Sequence, residues 1–142
     1  MGTDSPVRTA EELYAALDAD DVPRFLELCA EDVSLHYPAN DSLAYGGAWE
    51  GRAGVARFLD THDEAEEILD FEVEQMVADG DGVVVIGHFA GRAKPDGGEW
   101  STRFVHLLTI TDGQLRRWEA FFDTAAAVAA RPGRLPNGSD AA

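Results

Sequence analysis

The chain of 142 residues is long enough for one hydrophobic core but short for two independent domains. It carries 27 acidic residues against 11 basic ones, which gives a net charge of −16. Such a surface repels phosphate backbones and anionic lipids, so the charge argues against binding to nucleic acid or to a membrane surface. The acidic, lysine-poor composition also suits a salt-rich cytosol, a hypothesis that folding assays at low and high salt can test.

The sequence predicts a cytoplasmic protein without a metal or an organic cofactor. No apolar run approaches the roughly 20 residues of a membrane helix, and the first residues lack the pattern of a secretory signal. The single cysteine, Cys29, excludes an intramolecular disulfide and a multi-cysteine zinc site. The histidines lack zinc-motif spacing, and the glycines match neither a phosphate loop nor a dinucleotide fingerprint.

Helical spacing of apolar residues dominates the first half of the chain. It predicts three amphipathic helices, over residues 8–19, 22–30 and 51–62. Thr9 and Glu12 fit a capping box at the start of the first helix, after a flexible leader at residues 1–7. Between the second and third helices, alternation of apolar and polar residues predicts a strand over 32–37, followed by a loop over 39–47.

Alternating patterns dominate the second half. After an acidic connector at 63–67, they predict strands over 68–78, 83–93, 100–111 and 114–123. A short C-terminal helix over 124–131 and a disordered tail over 132–142 follow, so one domain spans residues 8–131. Helices followed by a run of strands favour an α+β fold. We expect a cone-shaped, curved antiparallel sheet with three helices on its concave side and a cavity at its open end.

The last two strands can be aligned from their patterns. In both strands the even positions are apolar and are predicted to face inward, with Trp118 in the last strand and His106 in the one before it. These faces coincide if residues 111–113 form a three-residue loop, which would place His106 opposite Trp118.

His106 is then a polar residue on an apolar inner face. Burial disfavours the charged imidazole, and a neutral imidazole in a pocket can act as a general acid, a general base or a hydrogen-bonding group for a ligand. The alternative is a core histidine whose ring is satisfied by a backbone carbonyl or a water molecule. The sequence leaves both interpretations open.

The chain resembles the SnoaL-like branch of the nuclear transport factor 2-like superfamily in four stretches: RFLELCAEDVSLHYP, GGAWEGRAGVARFL, RFVHLLTITDGQL and RWEAFFDTAAAV. The resemblance covers about residues 9–128. It implies the same cone-shaped fold with three helices, commonly dimeric through the outer face of the sheet. It also relates the chain to polyketide cyclases, limonene epoxide hydrolases and ketosteroid isomerases.

The chain departs from these enzymes at their catalytic positions. His106 matches a histidine of the polyketide cyclases, but their catalytic aspartate in the last strand falls at Ala120. His88 and Ala90 stand where the epoxide hydrolases carry an Arg-x-Asp pair on an earlier strand. Tyr37 replaces the catalytic aspartate of the ketosteroid isomerases. Whether the chain is an enzyme is therefore left open.

Two residues remain as candidate catalytic groups: Tyr37 as a hydrogen-bond donor to a carbonyl oxygen, and His106 as a proton shuttle. Seven others are predicted to line the ligand pocket: Tyr14, Trp49, His88, Phe104, Trp118, Ala120 and Phe122. Such a pocket suits a small, mostly apolar cyclic molecule with one carbonyl or hydroxyl group.

Three functional hypotheses stay open. The first is binding of such a molecule. The second is an acid–base enzyme of the isomerase, cyclase, dehydratase or hydratase type, using Tyr37 and His106. The third is a non-catalytic homodimeric assembly module. A homodimer is expected in any case, because Val105, Leu107 and Phe121 would otherwise expose apolar side chains on the outer sheet face. His62 is placed at the end of the third helix without a role.

Overall fold

The computed structural model describes residues 5–131, and it confirms the predicted α+β fold. One six-stranded curved sheet is covered on its concave side by helices. The elements are α1 Pro6–Asp18, α2 Val22–Glu27, β1 Cys29–Tyr37, β2 Gly47–Glu50, α3 Gly51–Ala65, β3 Glu66–Asp79, β4 Gly82–Ala93, β5 Glu99–Thr111, β6 Gln114–Phe122 and α4 Thr124–Ala129. None of the helices within residues 5–131 combines the length and the apolar character needed to cross a membrane.

The strands follow the order β2-β1-β6-β5-β4-β3. All neighbouring pairs are antiparallel except β1 and β6, which are parallel. The sequence predicted an antiparallel sheet throughout. β1 and β6 lie far apart in the chain and share no hairpin, so no local signal fixes their relative direction.

Strand β2 is an element that the sequence analysis did not predict. It pairs with β1 from Tyr37 opposite Gly47 to Ser34 opposite Glu50. The segment before it, predicted to be a loop, contains a short 3-10 helix at Asn40–Ser42 and a tyrosine, Tyr45, that is only 1% exposed. With four residues, β2 is too short for alternation to distinguish it from a loop.

The helix ends differ from the predicted ones by a few residues. α1 begins at Pro6, because the Ser5 side chain accepts a hydrogen bond from the Arg8 backbone N–H at 3.2 Å. The capping box predicted at Thr9 is therefore wrong, and Pro6 and Val7, which were predicted to lie in the leader, are helical. α3 continues through the predicted acidic connector to Ala65. Residues 1–4 and 132–142, predicted as the leader and the tail, lie outside the described residues.

The turn between β5 and β6 has two residues rather than three. Thr111 pairs with Gln114, and the loop residues Asp112 and Gly113 have φ values of 55° and 72°. Two successive positive φ values are the signature of the tight hairpin turn that Asp-Gly favours. The predicted three-residue loop is wrong.

A β-bulge at Arg116 corrects the phase of the hairpin. Ile110 pairs with Leu115 and Thr109 with Arg117, so Arg116 is an extra residue in β6. Beyond the bulge the even positions of both strands share the inner face, as predicted, and Trp118 is 3% exposed. His106 nevertheless lies opposite Ala120 and not opposite Trp118.

Gly87 in β4 allows the concave face to accept a ring from the neighbouring strand. A Cβ atom at this position would lie 2.1 Å from the Glu72 carbonyl oxygen and 2.6 Å from the Phe104 ring. Phe104 therefore lies across the glycine and stacks on Phe71 of β3, with 5.1 Å between ring centroids. These rings form part of the wall described next.

Candidate functional site: an aromatic cavity with an acidic mouth

The concave face of the sheet encloses a cavity of about 580 Å³. Its inner wall is largely aromatic and includes Tyr37, Trp100, Phe104, His106, Trp118 and Phe122. The exposed lining residues belong to the α1–α2 turn, the end of α3 and the start of β3, and they mark the mouth. The cavity is large enough for a small organic molecule.

His106 lies in the inner wall and forms a hydrogen bond with Tyr14, which is not part of the lining. The Tyr14 Oη and His106 Nδ1 atoms are 2.7 Å apart, and the two ring planes are parallel to within 1°. His106 is 4% exposed, and burial lowers its pKa to about 3. Burial likewise raises the pKa of Tyr14 well above its ordinary value. Both groups are therefore neutral at physiological pH.

The neutral pair fixes the tautomer of His106. The Tyr14 hydroxyl has no other hydrogen-bond acceptor among residues 5–131, so it is satisfied by donating to Nδ1. The ring proton of His106 then sits on Nε2. Nε2 has no partner among the described residues, and unlike the Trp118 indole nitrogen it is not sealed off from the cavity. His106 thus presents an N–H donor to the cavity.

Tyr37 offers a second neutral donor. Its ring packs on Phe58 with centroids 4.5 Å apart, and its side chain lines the cavity. Burial raises the pKa of Tyr37 far above its ordinary value, an effect that the Trp118 indole opposes in part. Within residues 5–131, Trp118 Nε1 is buried with no acceptor at hydrogen-bond distance. The indole N–H can act on the Tyr37 oxygen only as a donor, so the proton of the Tyr37 hydroxyl remains available for a ligand.

His62 is a cavity residue that the sequence analysis left without a role. Its ring lies 4.5 Å from the Tyr45 ring and 6.4 Å from the Tyr37 ring, measured between centroids. Burial lowers the pKa of His62 to about 4, against the opposing effect of the Glu66 carboxylate. Its position four residues after the buried Phe58, on the same face of α3, is the signal that could have identified it.

A buried carboxylate anchors the wall beside His62. The Glu66 side chain is fully buried and accepts hydrogen bonds from Tyr45 Oη at 2.8 Å, from Trp100 Nε1 at 3.0 Å and from the Arg131 guanidinium. Arg131 follows α4, so this cluster ties the end of the domain to the start of β3. The burial of Glu66 was not predictable from the sequence, because Glu66 lies within an acidic run that is typical of a solvated surface.

The structure separates the other predicted pocket residues into three groups. Phe104, Trp118 and Phe122 line the cavity. Tyr14 and Ala120 are buried beside His106 and do not line the cavity. Tyr14 forms the hydrogen bond with His106, and Ala120 lies opposite His106 in the sheet. Trp49 lies outside the lining and donates from Nε1 to the Tyr45 carbonyl oxygen at 3.1 Å.

His88 was predicted to line the pocket, and this prediction is wrong. It lies on the outer face of the sheet, where Nε2 is 2.7 Å from Asp70 and Nδ1 is 3.0 Å from Glu74. Its neighbour Phe89 occupies the inner face instead. Hydrogen bonds to Glu74 and Asp70 raise the pKa of His88.

The same outer-face group is relevant to metal binding. Asp70, Glu72 and His88 bring one ligand atom each to within 4.8 Å of one another. The two carboxylates are exposed and already neighbour the imidazole, an arrangement that a protonated His88 satisfies without an ion. Within residues 5–131, no such group lies in the cavity.

Comparison with known proteins agrees with this architecture. An NTF2-like protein from Burkholderia xenovorans is 26% identical, with a TM-score of 0.80 over 89% of this chain and 95% of that one. An NTF2-like protein of unknown function from Burkholderia pseudomallei is 25% identical, with a TM-score of 0.80 over 90% and 98%. TerC, co-crystallized with polyporic acid, is 26% identical, with a TM-score of 0.79 over 88% and 96%.

No curated protein matches the chain at a significant level. The sequence pattern of the SnoaL-like domain, in contrast, matches residues 10–118, which is most of the chain. Together with the curved sheet, the covering helices and the cavity, this match shows that the chain belongs to the SnoaL-like domain family.

Proposed function

We propose that the protein binds a small, mostly apolar cyclic molecule in this cavity, with a ligand oxygen accepting a hydrogen bond from His106 Nε2. The observation that carries the proposal is an uncommitted N–H donor, fixed by Tyr14, within an otherwise aromatic wall. A buried donor without a partner costs free energy, and a ligand acceptor would remove that cost. The Tyr37 hydroxyl supplies a second donor in the same wall.

The dimensions of the cavity support a ligand of this kind. About 580 Å³ falls within the range of roughly 300–1,000 Å³ that is typical of small-molecule sites. Aromatic walls favour flat, cyclic ligands through apolar burial and ring stacking. The TerC structure, at 26% identity, was obtained with a small organic compound, polyporic acid, which makes that compound a suitable member of a test panel.

Acid–base catalysis is the second candidate, and His62 is the observation that favours it. His62 and His106 are two neutral imidazoles that line one cavity. The low pKa of His106 makes it a weak base, which suits it to donate a hydrogen bond to a developing negative charge on oxygen. Burial lowers the pKa of His62 less, to about 4, so His62 is the stronger base of the two and would accept a proton from the substrate, in an isomerase or cyclase type of reaction.

Binding can be tested by thermal shift with cyclic ketones, lactones, terpenoids, steroids and polyporic acid. Each hit is compared with an analogue that lacks the acceptor oxygen. The test variant is Tyr14→Phe/His106→Phe, which removes both members of the hydrogen bond and keeps two rings in place. Tyr14→Phe alone is the comparison variant: it no longer fixes the tautomer, but it retains Nε2, and a bound acceptor oxygen can still select the form that is protonated there.

We expect wild type and Tyr14→Phe to bind the oxygen-bearing ligand, and the double variant to bind it about tenfold more weakly. Equal binding by all three proteins would contradict the proposed role of His106. If no compound raises the melting temperature of the wild type, the assembly-module hypothesis gains support.

Catalysis has a separate readout: deuterium exchange next to the carbonyl of a bound ketone should occur in wild type and stop in His62→Phe.

A further inference from the structure

The mouth of the cavity carries one sign of charge. Three aspartates come from the last residue of α1 and the turn that follows it, and two come from the last turns of α3: Asp18, Asp20, Asp21, Asp60 and Asp63. All five side chains are exposed and line the cavity, whereas none of the described lysines or arginines does.

Arg24, Lys94 and Arg131 lie on elements next to the mouth, and each has a protein partner. Arg24 of α2 pairs with Glu12 at 3.1 Å and with Glu27 at 3.4 Å. Lys94 donates to the Asp63 backbone carbonyl at 2.7 Å. Arg131 is held by the buried Glu66. The mouth therefore keeps a clear excess of negative charge.

The interior adds an independent indication that a ligand occupies this space. His106 is 4% exposed, and its Nε2 atom faces the cavity without a partner among the described residues. The wall around Nε2 is aromatic, and the charged residues that line the cavity are the aspartates at its mouth. A ligand that fills the cavity thus meets a hydrogen-bond donor at one end and carboxylates at the other.

We infer that the ligand is a cyclic molecule with an acceptor oxygen at its inner end and a positively charged amine at its outer end, and that carboxylate ligands are rejected. The inference rests on the proposed binding function and adds the charge of the ligand to it. Low-dielectric walls focus the field of charges that line a cleft, so the aspartates attract cations into the mouth and repel anions. The amine remains near water, which limits its desolvation cost.

Three isosteric probes separate charge from binding. A bicyclic aryl ketone, tetralone, is substituted on the ring edge opposite its carbonyl with an aminomethyl, a hydroxymethyl or a carboxylate group. At low salt the amine should bind on the order of tenfold more tightly than the alcohol, and the carboxylate more weakly than both. Raising the salt from about 0.01 M to 1 M should remove most of this difference and leave the alcohol unchanged.

Asp60→Asn/Asp63→Asn is the test variant, and Asp79→Asn/Asp81→Asn is the matched control. The control pair is exposed, lies in the β3–β4 turn away from the cavity and changes the net charge equally. The amine's advantage should fall to roughly threefold in the test variant and persist in the control. An amine that binds no better than the alcohol, or an equal loss in both variants, would overturn the inference while leaving the binding function intact.

Collisional quenching of tryptophan fluorescence provides a measurement that needs no tight ligand. Trp100 and Trp118 line the cavity, so caesium should quench them more efficiently, and iodide less efficiently, than in the variant with Asp60 and Asp63 neutralised. The control variant should behave like wild type. Equal caesium-to-iodide ratios in all three proteins would overturn the inference even if no tetralone binds, whereas loss of binding by all three probes would count against the proposed function alone.

Discussion

The buried ion pair between Glu66 and Arg131 offers a sharp test of how the cavity wall is held. The Glu66 side chain is fully buried, and the Arg131 side chain is 12% exposed. Arg131→Met removes the positive charge and leaves the carboxylate with the neutral donors Tyr45 and Trp100. Removing one partner of a buried pair costs about 3–5 kcal/mol, because the remaining charge is desolvated without compensation.

The accessible edge of Arg131 places the expected loss at the lower end of that range, about 3 kcal/mol. For a protein of this size the corresponding drop in Tm is roughly 10 °C. Glu66→Gln/Arg131→Met removes both charges, so it should recover about 2 kcal/mol relative to Arg131→Met. The two neutral donors can still bond to the glutamine oxygen.

Urea unfolding followed by circular dichroism measures these differences, provided that the m-value stays constant. Arg92→Met is the matched control, since Arg92 pairs with Glu67 at 2.7 Å and with Glu99 at 2.6 Å on the surface. Exposed pairs contribute little, so its midpoint should barely move. A small loss in Arg131→Met, or a double variant no more stable than Arg131→Met, would refute the reasoning.

Three further outcomes follow from the same structure. Gly87→Ala should lower the free energy of unfolding by about 2–3 kcal/mol in urea titrations, because its Cβ collides with the Phe104 ring and with backbone; unchanged stability would contradict the close approach. The free energy of unfolding should fall as the pH drops from about 7 to 5, by about 1–2 kcal/mol for each of His62 and His106. The reason is that the unfolded chain takes up protons near pH 6.5, whereas the folded imidazoles, with pKa values of about 4 and 3, stay neutral. His106→Phe should show a shallower dependence on pH, and an identical slope would argue against the buried neutral state of His106. Phe121, which is 46% exposed on the outer sheet face, should belong to a homodimer contact, so Phe121→Ser should shift wild-type dimer to monomer in sedimentation velocity, and a monomeric wild type would disprove the contact.

The fold was predictable where the apolar pattern has a single phase. The even positions of β5 and β6 carry their apolar residues on one face, and the inward orientation of His106 and Trp118 is confirmed. The turn that joins them was predicted wrongly, because a bulge at Arg116 leaves no mark in the pattern. A three-residue loop, and a two-residue loop followed by one bulged residue, both place the even positions of β5 opposite the even positions of β6.

The candidate site was harder to predict in β4, because glycines at inner positions weaken the alternation of apolar and polar residues. The inner positions of β4 include Gly87 and Gly91, which are small because aromatic rings lie against them, while the outer positions carry larger side chains. The strand therefore appeared apolar on both faces, and His88 was assigned to the wrong one. Glu66 was concealed differently: its burial depends on Arg131, which is distant in the sequence.

The parallel pairing of β1 with β6 has a consequence for how the protein is made. Strands β3 to β6 form a meander of neighbours along the chain, whereas β1 must wait for β6 before it can pair. Contacts between distant segments form late, because their loop-closure entropy comes first. Tyr37 is delivered by β1, and Tyr14 by α1 before it. A nascent chain from which β6 has not yet emerged would hold His106 on β5 and yet lack the pocket, so we expect ligand recognition to begin only after Phe122 has left the ribosome.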